Sequence, residues 1–450
     1  MNDTIAAIST SLGVGAISII RVSGNKAINI VNKIFSGDLL NKESHTVTYG
    51  YILEKKEKID EVLITIMKAP KTFTTEDVVE INCHGGISTT RKILELLIKN
   101  GCRLAEPGEF TKRAFLNGRI ALTEAEAVMD LINVKNENAR KIAMNNLSGH
   151  TTNKIEKLRK KILDIISNIE VNIDYPEYLD IEVVTTNQIK KELKNIKEQL
   201  EIISKNSKNS KLITEGINVA IIGKPNVGKS SILNKLIGEN KAIVTDIPGT
   251  TRDIVESSIN LDGLQLNLID TAGIRKTTDT VEQIGVNKSK EYLKNADLIL
   301  LVYNNNEEIT KEDINLLEET KNKKRIIIIN KNDLEKKFKL PQNIKTNIIY
   351  SNTIEDSGLE KLKEKIIEMF NFEEIDTNDF TYVSSIEQIN KIDSAKQSIK
   401  DIEKGLEDDL AIDMLEIDLK NIWQILGEVT GKIYTEELLD NLFKNFCVGK

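Results

Sequence analysis

The sequence predicts a multidomain protein that combines mixed α/β domains with all-helical segments. In the first ~120 residues, short β-branched apolar runs alternate with helical ones. Residues 123 to about 200 show a purely helical period, and apolar strands separated by helices return from Ile217 onwards. A length of 450 residues agrees with about three domains.

The N-terminal stretch is predicted to form a compact α/β domain. Apolar, β-branched runs at residues 16–22, 62–67 and 78–81 are typical of strands. Residues 90–100 place apolar side chains at helical spacing and stop at Gly101, as a helix would. We therefore assign residues 1–119 to this domain.

Long helices are predicted on both sides of a second α/β region. From Thr123 onwards there is almost no Gly or Pro, which favours a helical bundle over residues 120–213. Residues 204–211 (SKNSKNSK) are polar and of low complexity, and we interpret them as a frayed helix end or a linker. The helical period returns after Phe372, so a second helical part is expected over 374–450.

Residues 214–373 are predicted to fold around a parallel sheet. Near-continuous apolar runs alternate with helical segments, the pattern of a sheet covered on both faces. The flanking helices suggest that this domain is inserted into one helical domain, and separate helical domains on each side are the alternative. The predicted strands are Ile217–Ile222, Leu264–Ile269, residues 298–303, Arg325–Asn330 and Asn347–Tyr350.

Composition and charge exclude several classes of protein. With 62 Lys+Arg against 69 Asp+Glu, the net charge of −7 argues against nucleic-acid binding through a globally basic surface, although a local patch stays compatible with it. No apolar run approaches the ~18 residues that span a bilayer, and the N-terminus lacks signal-peptide features, so we expect a cytoplasmic protein without membrane contact. Three scattered cysteines are too few for a disulfide framework or a Cys-rich zinc site.

A phosphate-binding loop is predicted at residues 223–230 (GKPNVGKS), which match G-x-x-x-x-G-K-[ST] between a strand and a helix. In such a loop, backbone N–H groups face phosphate oxygens, Lys229 adds a positive charge and Ser230 supplies a hydroxyl to Mg²⁺. A simple glycine turn, the structural alternative, would not need the Lys-Ser pair. The residues that this segment offers to GTP are Asn226, Val227, Gly228, Lys229, Ser230 and Ser231.

Further nucleotide motifs follow in the order that a GTPase requires. Asp270, Thr271, Ala272 and Gly273 end one strand, which places a carboxylate near the metal and an amide near the γ-phosphate. Asn330 and Lys331 end another, and Asp333 can accept two N–H bonds from guanine, a pattern that adenine does not offer. The other candidate GTP contacts are the switch residues Thr245, Asp246, Ile247, Pro248, Gly249, Thr250 and Thr251, of which Thr251 would bind Mg²⁺, and the base-lining residues Ser351, Asn352 and Thr353.

The catalytic group is not obvious from these motifs. Ras-like enzymes carry a Gln after the Asp-x-x-Gly segment to position the attacking water, whereas this chain has Ile274. Arg275 and Glu282 lie in the same segment, and a carboxylate could orient the water through a second water. The alternative is that both are solvated switch residues.

Beyond the nucleotide motifs, the chain carries characteristic segments at residues 3–7, 20–24, 76–81, 84–86, 107–118, 245–253 and 446–450. The C-terminal FCVGK is highly specific, and phosphate loops alone are not. With these segments, essentially the whole chain resembles the MnmE (TrmE) family of bacterial tRNA uridine-modification GTPases.

This resemblance implies an N-terminal α/β domain like that of tetrahydrofolate-binding proteins, a helical domain and an inserted Ras-like P-loop GTPase domain. It implies a homodimer through the N-terminal domains and a heterotetramer with the FAD- and NADH-dependent protein MnmG. Together such proteins add an aminomethyl or carboxymethylaminomethyl group to C5 of the wobble uridine of certain tRNAs, with the one-carbon unit taken from methylenetetrahydrofolate. The implied contacts to a tetrahydrofolate derivative (5-formyl- or methylene-tetrahydrofolate) are Arg21, Glu80, Arg119 and Lys450.

The resemblance also implies that hydrolysis needs K⁺ and pairing of two GTPase domains. The missing Gln gives this a physical reason, because charge that develops between the β- and γ-phosphates still requires a cation. The Asn226 side-chain oxygen could coordinate K⁺, and Thr245, Ile247 and Thr250 could close over the ion with backbone oxygens. The alternative is that Asn226 only hydrogen-bonds the loop backbone.

Some residues depart from the family pattern: Ser11 and Leu12 replace a Pro-Pro pair, Thr75 replaces a Gly, Ala121 an Asp and Glu387 an Arg.

Two other classes of protein share part of the sequence pattern, namely ribosome-assembly or cell-cycle GTPases and membrane-remodelling GTPases.

Two side chains have competing interpretations. Cys447 is either reactive or packed, and the nearby Phe443 and Phe446 favour packing. His84 precedes two glycines and is interpreted as a turn or packing residue rather than a catalyst.

Overall fold

The computed structural model describes residues 3–134, 136–174, 186–239, 255–261, 264–269, 296–341, 347–352, 359–370, 381–408, 410, 412–444 and 446–449. The chain forms two compact units. The first comprises residues 1–129, 146–201 and 385–450, and the second comprises residues 130–145 and 202–384. The division into domains at 119/120, 213/214 and 373/374 stays a prediction.

Every strand predicted from the apolar runs is present, although several have shifted ends. Further strands that the sequence analysis did not predict occur at Ile5–Ile8, Thr46–Glu54, Arg103–Leu104 and Val255–Leu261. The strands are β1 Ile5–Ile8, β2 Ile17–Ser23, β3 Thr46–Glu54, β4 Glu57–Met67, β5 Val78–His84, β6 Arg103–Leu104, β7 Ile217–Ile222, β8 Val255–Leu261, β9 Leu264–Ile269, β10 Leu298–Asn304, β11 Arg325–Asn330 and β12 Asn347–Tyr350. The helices are α1 Ala27–Ile34, α2 Ile87–Lys99, α3 Glu109–Leu116, α4 Leu122–Asn133, α5 Glu137–Leu147, α6 His150–Asp174, α7 Thr186–Glu215, α8 Lys229–Glu239, α9 Lys311–Glu319, α10 Leu359–Phe370, α11 Ile386–Glu407, α12 Glu416–Thr430 and α13 Glu436–Phe443. A 3₁₀ turn covers Ile412–Leu415.

The first unit contains a six-stranded sheet of order β3-β4-β5-β2-β1-β6. All neighbours are antiparallel except β1 and β6, which are parallel. Alternate residues of the strands point to α1 and α2, and side chains such as Ile20, Ile64 and Ile81 are fully buried there. This alternation is the period-2 pattern of an antiparallel sheet with one covered face.

The opposite face of this sheet is only partly covered. Phe110 of α3 packs on Ile5 and Ala7 at the β1 end. Toward β3, β4 and the start of β2 the face is open, with exposed large side chains.

The helical part of the first unit confirms the bundle predicted from the helical period. Apolar residues at spacings of three and four, such as Leu193, Ile196 and Leu200 in α7, are fully buried. Residues 204–211 belong to the second unit, and their interpretation as a frayed end or linker is wrong, because they lie inside α7. Ser204, Ser207 and Ser210 repeat every three residues on the buried side, where small side chains permit close packing.

The second unit contains a six-stranded sheet of order β12-β11-β10-β7-β9-β8. Its pairs are parallel except β8 with β9. Both faces are buried, and every residue of β10 has a buried side chain. The prediction of a parallel sheet covered on both faces is confirmed. Because parallel strands end at one edge, the loops after β7 and β11 lie on the same side.

No helix in the described part of the chain is long and apolar enough to cross a membrane.

Candidate functional site

The phosphate loop connects β7 to α8 and depends on close backbone approach. A Cβ added to Gly228 would lie 2.0 Å from the Asn330 Nδ2 atom, and one added to Gly223 would lie 2.3 Å from the Val302 carbonyl oxygen. Gly228 has φ 101° and Asn226 has φ 63°, a conformation that Asn tolerates better than most residues. The loop therefore needs glycine at positions 223 and 228, as the motif predicts.

Lys229 is held at the start of α8 by the loop itself. Its ammonium donates to the carbonyl oxygen of Gly223 at 2.7 Å and to that of Lys224 at 2.6 Å. Burial lowers the pKa of Lys229. The cation is thus placed beside the backbone N–H groups that would face phosphate oxygens.

Asn330 joins the end of β11 to the phosphate loop. It is fully buried, and its Nδ2 donates to the Val227 carbonyl oxygen at 2.9 Å. Its Oδ1 has no hydrogen-bond partner among the described residues. Lys331 follows with φ 59°, and Asp333 is exposed, as a side chain that reads a base must be.

The end of β12 lies against the same segment. The Ser351 N–H donates to the Ile329 carbonyl oxygen at 2.9 Å, and the Ser351 carbonyl accepts from the Asn332 N–H at 3.3 Å. Ser351 and Asn352 are both buried. The structure therefore brings together the loop residues 226–231, the Asn330–Asp333 segment and residues 351–352.

The remaining predicted nucleotide and catalytic residues lie outside the described residues. They are Thr245, Asp246, Ile247, Pro248, Gly249, Thr250, Thr251, Asp270, Thr271, Ala272, Gly273, Arg275, Glu282 and Thr353. Of the two predicted Mg²⁺ ligands, Ser230 is described at the start of α8 and Thr251 is not. Within the described part of the chain, no three His, Cys, Asp or Glu residues form a group that could hold a metal ion.

Two of the predicted folate residues form an ion pair across the open sheet face. Arg21 on β2 and Glu80 on β5 are register partners. Glu80 Oε1 accepts from Arg21 Nε at 2.9 Å and lies 2.8 Å from Arg21 Nη2, and the side chains are 22% and 19% exposed. The guanidinium also lies 5.7 Å from the centre of the Phe110 ring.

The C-terminal tail lies against this pair. The Gly449 carbonyl oxygen accepts from Arg21 Nη1 at 3.3 Å and from the Ser9 hydroxyl at 3.1 Å. The Cys447 carbonyl oxygen accepts from the Gly108 N–H at 3.2 Å. Lys450 lies outside the described residues but follows directly. Sequence reasoning missed the contacts of Ser9 and Phe110, because no local pattern reveals where the tail docks.

Arg119 makes a separate set of contacts. Its Nη1 donates to the Phe73 carbonyl oxygen at 3.0 Å, and its guanidinium lies 5.0 Å from the centre of the Phe73 ring. It lines an open cavity of about 550 Å³ together with Lys71 and Thr75. Among the described residues, no contact joins it to Arg21 or Glu80.

Two interpretations of single residues are corrected. Cys447 is exposed rather than packed, because the backbone of the tail, not its thiol, faces the protein. For His84 only the packing alternative is wrong, since 71% of its side chain is exposed. The turn alternative agrees with the structure, because His84 ends β5 and its carbonyl oxygen accepts from the Gly86 N–H at 2.8 Å. Its Nδ1 lies 2.7 Å from Asp60 Oδ1, and this hydrogen bond raises the pKa of His84.

The comparisons with known proteins cover the whole chain. Residues 4–119 match the model of the GTP-binding protein TrmE N-terminus, and residues 122–447 match that of the MnmE helical domain. A protein named tRNA modification GTPase MnmE from Bacillus licheniformis is 48% identical over 458 residues and covers 100% of both chains. One of the same name from Ligilactobacillus salivarius is 49% identical, covering 100% of this chain and 98% of its own.

A solved structure, the G domain of the T. maritima FeoB iron transporter, covers 34% of this chain and 97% of its own at 30% identity, with a TM-score of 0.26. The family assignment rests on the family models and the full-length relatives. The chain belongs to the MnmE (TrmE) family.

Proposed function

We propose that this protein binds and hydrolyses GTP and acts in the modification of tRNA. The observation that carries the proposal is the bond from Asn330 to Val227, which places the Asp333 segment beside the phosphate loop. A site with a phosphate cradle at one end and a purine-reading carboxylate at the other suits a guanine nucleotide. The full-length relatives named tRNA modification GTPase MnmE support the tRNA part.

Nucleoside analysis of tRNA tests the tRNA part. A strain without this protein should lose the aminomethyl or carboxymethylaminomethyl group on C5 of wobble uridine. Unchanged wobble uridines would contradict the proposal. Cosedimentation with ribosomal subunits or flotation with liposomes would then favour a ribosome-assembly or a membrane-remodelling GTPase.

Guanine selection through Asp333 can be tested directly. In Asp333→Asn the side-chain amide can donate to the base oxygen that replaces the guanine amine in xanthine, so preference should shift from GTP to XTP. Competition binding with both nucleotides measures this. A variant that keeps the wild-type preference would remove Asp333 from the site.

We infer that a reduced folate binds over Arg21 and Glu80, with Lys450 and Arg119 contributing. Glu80 Oε1 is taken by Arg21, whereas Oε2 has no hydrogen-bond partner among the described residues and can accept from the N–H edge of a pterin ring. The anionic glutamate tail of a folate suits Arg and Lys side chains.

Calorimetric titration with 5-formyltetrahydrofolate tests the folate site. The wild type should bind with a Kd in the micromolar range, which corresponds to a binding free energy of ~8 kcal/mol, and Glu80→Ala should bind more weakly. Glu61→Gln is the matched control, because Glu61 is an exposed carboxylate on the adjacent strand β4. Equal affinity for the wild type and Glu80→Ala would exclude Glu80.

We infer that K⁺ binds at Asn226 and supports catalysis by Glu282 and Arg275 when two GTPase domains pair. Asn226 is exposed, and among the described residues its carboxamide makes no hydrogen bond, which leaves its oxygen open to a cation. Turnover should be faster in K⁺ than in Na⁺ at equal ionic strength, and Asn226→Ala should remove the difference. Equal wild-type rates in both salts would contradict the cation mechanism, and a dependence that survives in Asn226→Ala would contradict Asn226 alone.

We infer that the open face of the first sheet supports a homodimer, which then binds MnmG. Ile17, Val47, Tyr49 and Leu63 expose 66%, 61%, 58% and 48% of their surface on this face. An apolar face of this kind is typical of an interface. Leu63→Glu should give a monomer by light scattering and lose copurification of MnmG, whereas Leu163→Glu, at an exposed apolar residue of α6, should not. A dimeric Leu63→Glu protein would exclude this face.

A further inference from the structure

The phosphate loop is anchored to α9 through Lys224. The Lys224 ammonium lies 2.7 Å from Asp313 Oδ2, and the two side chains are only 19% and 6% exposed. The ammonium also donates to the Thr310 hydroxyl. Lys224 occupies one of the variable positions of G-x-x-x-x-G-K-S, so the motif itself assigns it no part in nucleotide binding.

Asp313 is fixed independently of the lysine. It is the third residue of α9, and its Oδ2 accepts from the Thr310 N–H at 2.9 Å and lies 2.8 Å from the Thr310 hydroxyl oxygen. The Thr310 side chain in turn accepts from the Asp313 backbone N–H, which completes a capping box. A carboxylate locked in a helix cap is a rigid anchor. Because water is largely excluded from the pair, removing one partner is more costly than at an exposed ion pair.

The backbone of Lys224 contacts the ammonium group of Lys229, the side chain that is expected to bind phosphate. The Lys224 carbonyl oxygen accepts from Lys229 Nζ at 2.6 Å, next to the Gly223 carbonyl oxygen at 2.7 Å. One residue therefore connects to α9 through its side chain and to Lys229 through its backbone.

We propose that the Lys224–Asp313 ion pair positions the phosphate loop for GTP. It fixes the loop carbonyls that in turn fix the Lys229 ammonium, although neither Lys224 nor Asp313 need touch the nucleotide. Without the pair, part of the binding free energy is lost to ordering the loop and Lys229. This inference rests on the proposed binding and hydrolysis of GTP and adds two positioning residues to that site.

Three substitutions in the full-length protein test the pair by steady-state GTP hydrolysis. Lys224→Met keeps an unbranched side chain one atom shorter and removes the charge, and it should raise KM about tenfold with a smaller change in kcat. Asp313→Asn keeps an oxygen for the Thr310 cap and should act in the same direction. Lys224→Arg, which can still reach the carboxylate, should restore a KM near the wild-type value.

The double variant tests whether Lys224 and Asp313 affect KM through each other. Lys224→Met combined with Asp313→Asn should raise KM no more than the worse single variant, because neither partner is left as an unpaired charge. Lys321→Met is the matched control, since Lys321 forms an exposed pair with Glu318 at the end of the same helix. That control should leave KM unchanged.

The outcomes are distinguishable. A Lys224→Met protein with wild-type KM and a lower melting temperature would overturn the positioning role and leave a structural one. Additive effects in the double variant would also overturn it. If the wild type itself fails to bind GTP, the proposed function is contradicted instead.

Discussion

At the scale of single residues, Thr75 combines a β-branched side chain with a left-handed backbone. Its φ is 62°, a region in which β-branched residues are outliers. Strain of this kind destabilises the folded state by about 1–3 kcal/mol. A glycine would relieve the strain, but its greater conformational entropy in the unfolded state would offset part of the gain in stability. The left-handed backbone of Thr75 therefore lowers the stability of the first unit by a measurable amount.

We predict that Thr75→Gly stabilises the first unit by about 1 kcal/mol. Trp423, the single tryptophan of the chain, lies in this unit and reports its urea unfolding by fluorescence. Gly118→Ala is the matched control, because Gly118 has φ 72° and an added Cβ would meet no atom within 4 Å. Gly118→Ala should lose stability through backbone strain alone. A lower urea midpoint for Thr75→Gly than for the wild type would contradict the strain at Thr75.

Asp130, in the second unit, is another residue that lowers the stability of the folded state. It is half-buried, and its Oδ2 is enclosed without a hydrogen-bond partner among the described residues. Burial raises the pKa of Asp130 to about 6 from 3.8, and the Glu215 carboxylate acts in the same direction while the Ser384 hydroxyl opposes it. Since the folded state prefers the protonated acid, folding loses stability as the pH rises from about 4 to about 6.

We predict that Asp130→Asn stabilises the second unit above pH 6 by about 2 kcal/mol and has a smaller effect near pH 4. Calorimetric melting between pH 4 and 8 measures this, and the transition of the second unit is the one that GDP shifts. Glu318→Gln, at an exposed carboxylate of the same unit, should change little. A gain in stability that does not depend on pH would exclude the ionisation of Asp130 as its cause.

At the scale of elements, α3 is fixed to the first sheet by a cluster of charges around the buried side chain of Arg113. Only 1% of the Arg113 side chain is exposed, and it pairs with Asp3, Glu76 and Glu109 at 2.8, 3.1 and 3.0 Å. Burial alone would raise the pKa of Glu109, but hydrogen bonds from Arg103, the Glu106 N–H and Arg113 hold it below its usual value. This cluster orients the helix that carries Phe110 toward Arg21.

We predict that Arg113→Met destabilises the first unit by about 3–5 kcal/mol, because three carboxylates lose their shared cation. Lys112→Met removes the neighbouring charge, whose partner Asp440 is 56% exposed, and should cost less than about 1 kcal/mol. Urea unfolding followed by Trp423 fluorescence compares the two. Similar losses of unfolding free energy for both variants would show that burial does not determine how much the Arg113 cluster stabilises the first unit.

At the scale of the whole molecule, the two ligands have separate binding residues. The candidate folate residues Arg21, Glu80 and Arg119 lie in the first unit, and the GTP residues that the structure describes lie in the second. We predict that 5-formyltetrahydrofolate slows hydrogen exchange in β2, β5 and residues 446–449, whereas GDP slows it in residues 223–231 and 330–333. Folate protection of the phosphate loop without protection of β2 would contradict the assignment of Arg21.

Much of the second unit follows from local patterns. Apolar runs predict its parallel strands, and the edge where such strands end predicts that Asn330 and Ser351 lie near the phosphate loop. Glycine spacing predicts the loop itself, because only glycine permits the approach of Asn330 to Gly228. These features depend on short segments and on general rules of sheet geometry, so the sequence determined them by itself, together with the family.

The tertiary structure decided the contacts between distant segments. Arg21 meets Gly449 across 428 residues, and Lys224 meets Asp313 across 89, and no periodicity in the chain encodes either pairing. It also placed the serines of residues 204–211 on a buried helix face, where polarity had suggested a linker. Sequence patterns report local backbone preference and the burial of apolar faces, whereas the position of a docked tail or a buried ion pair depends on how complete elements pack.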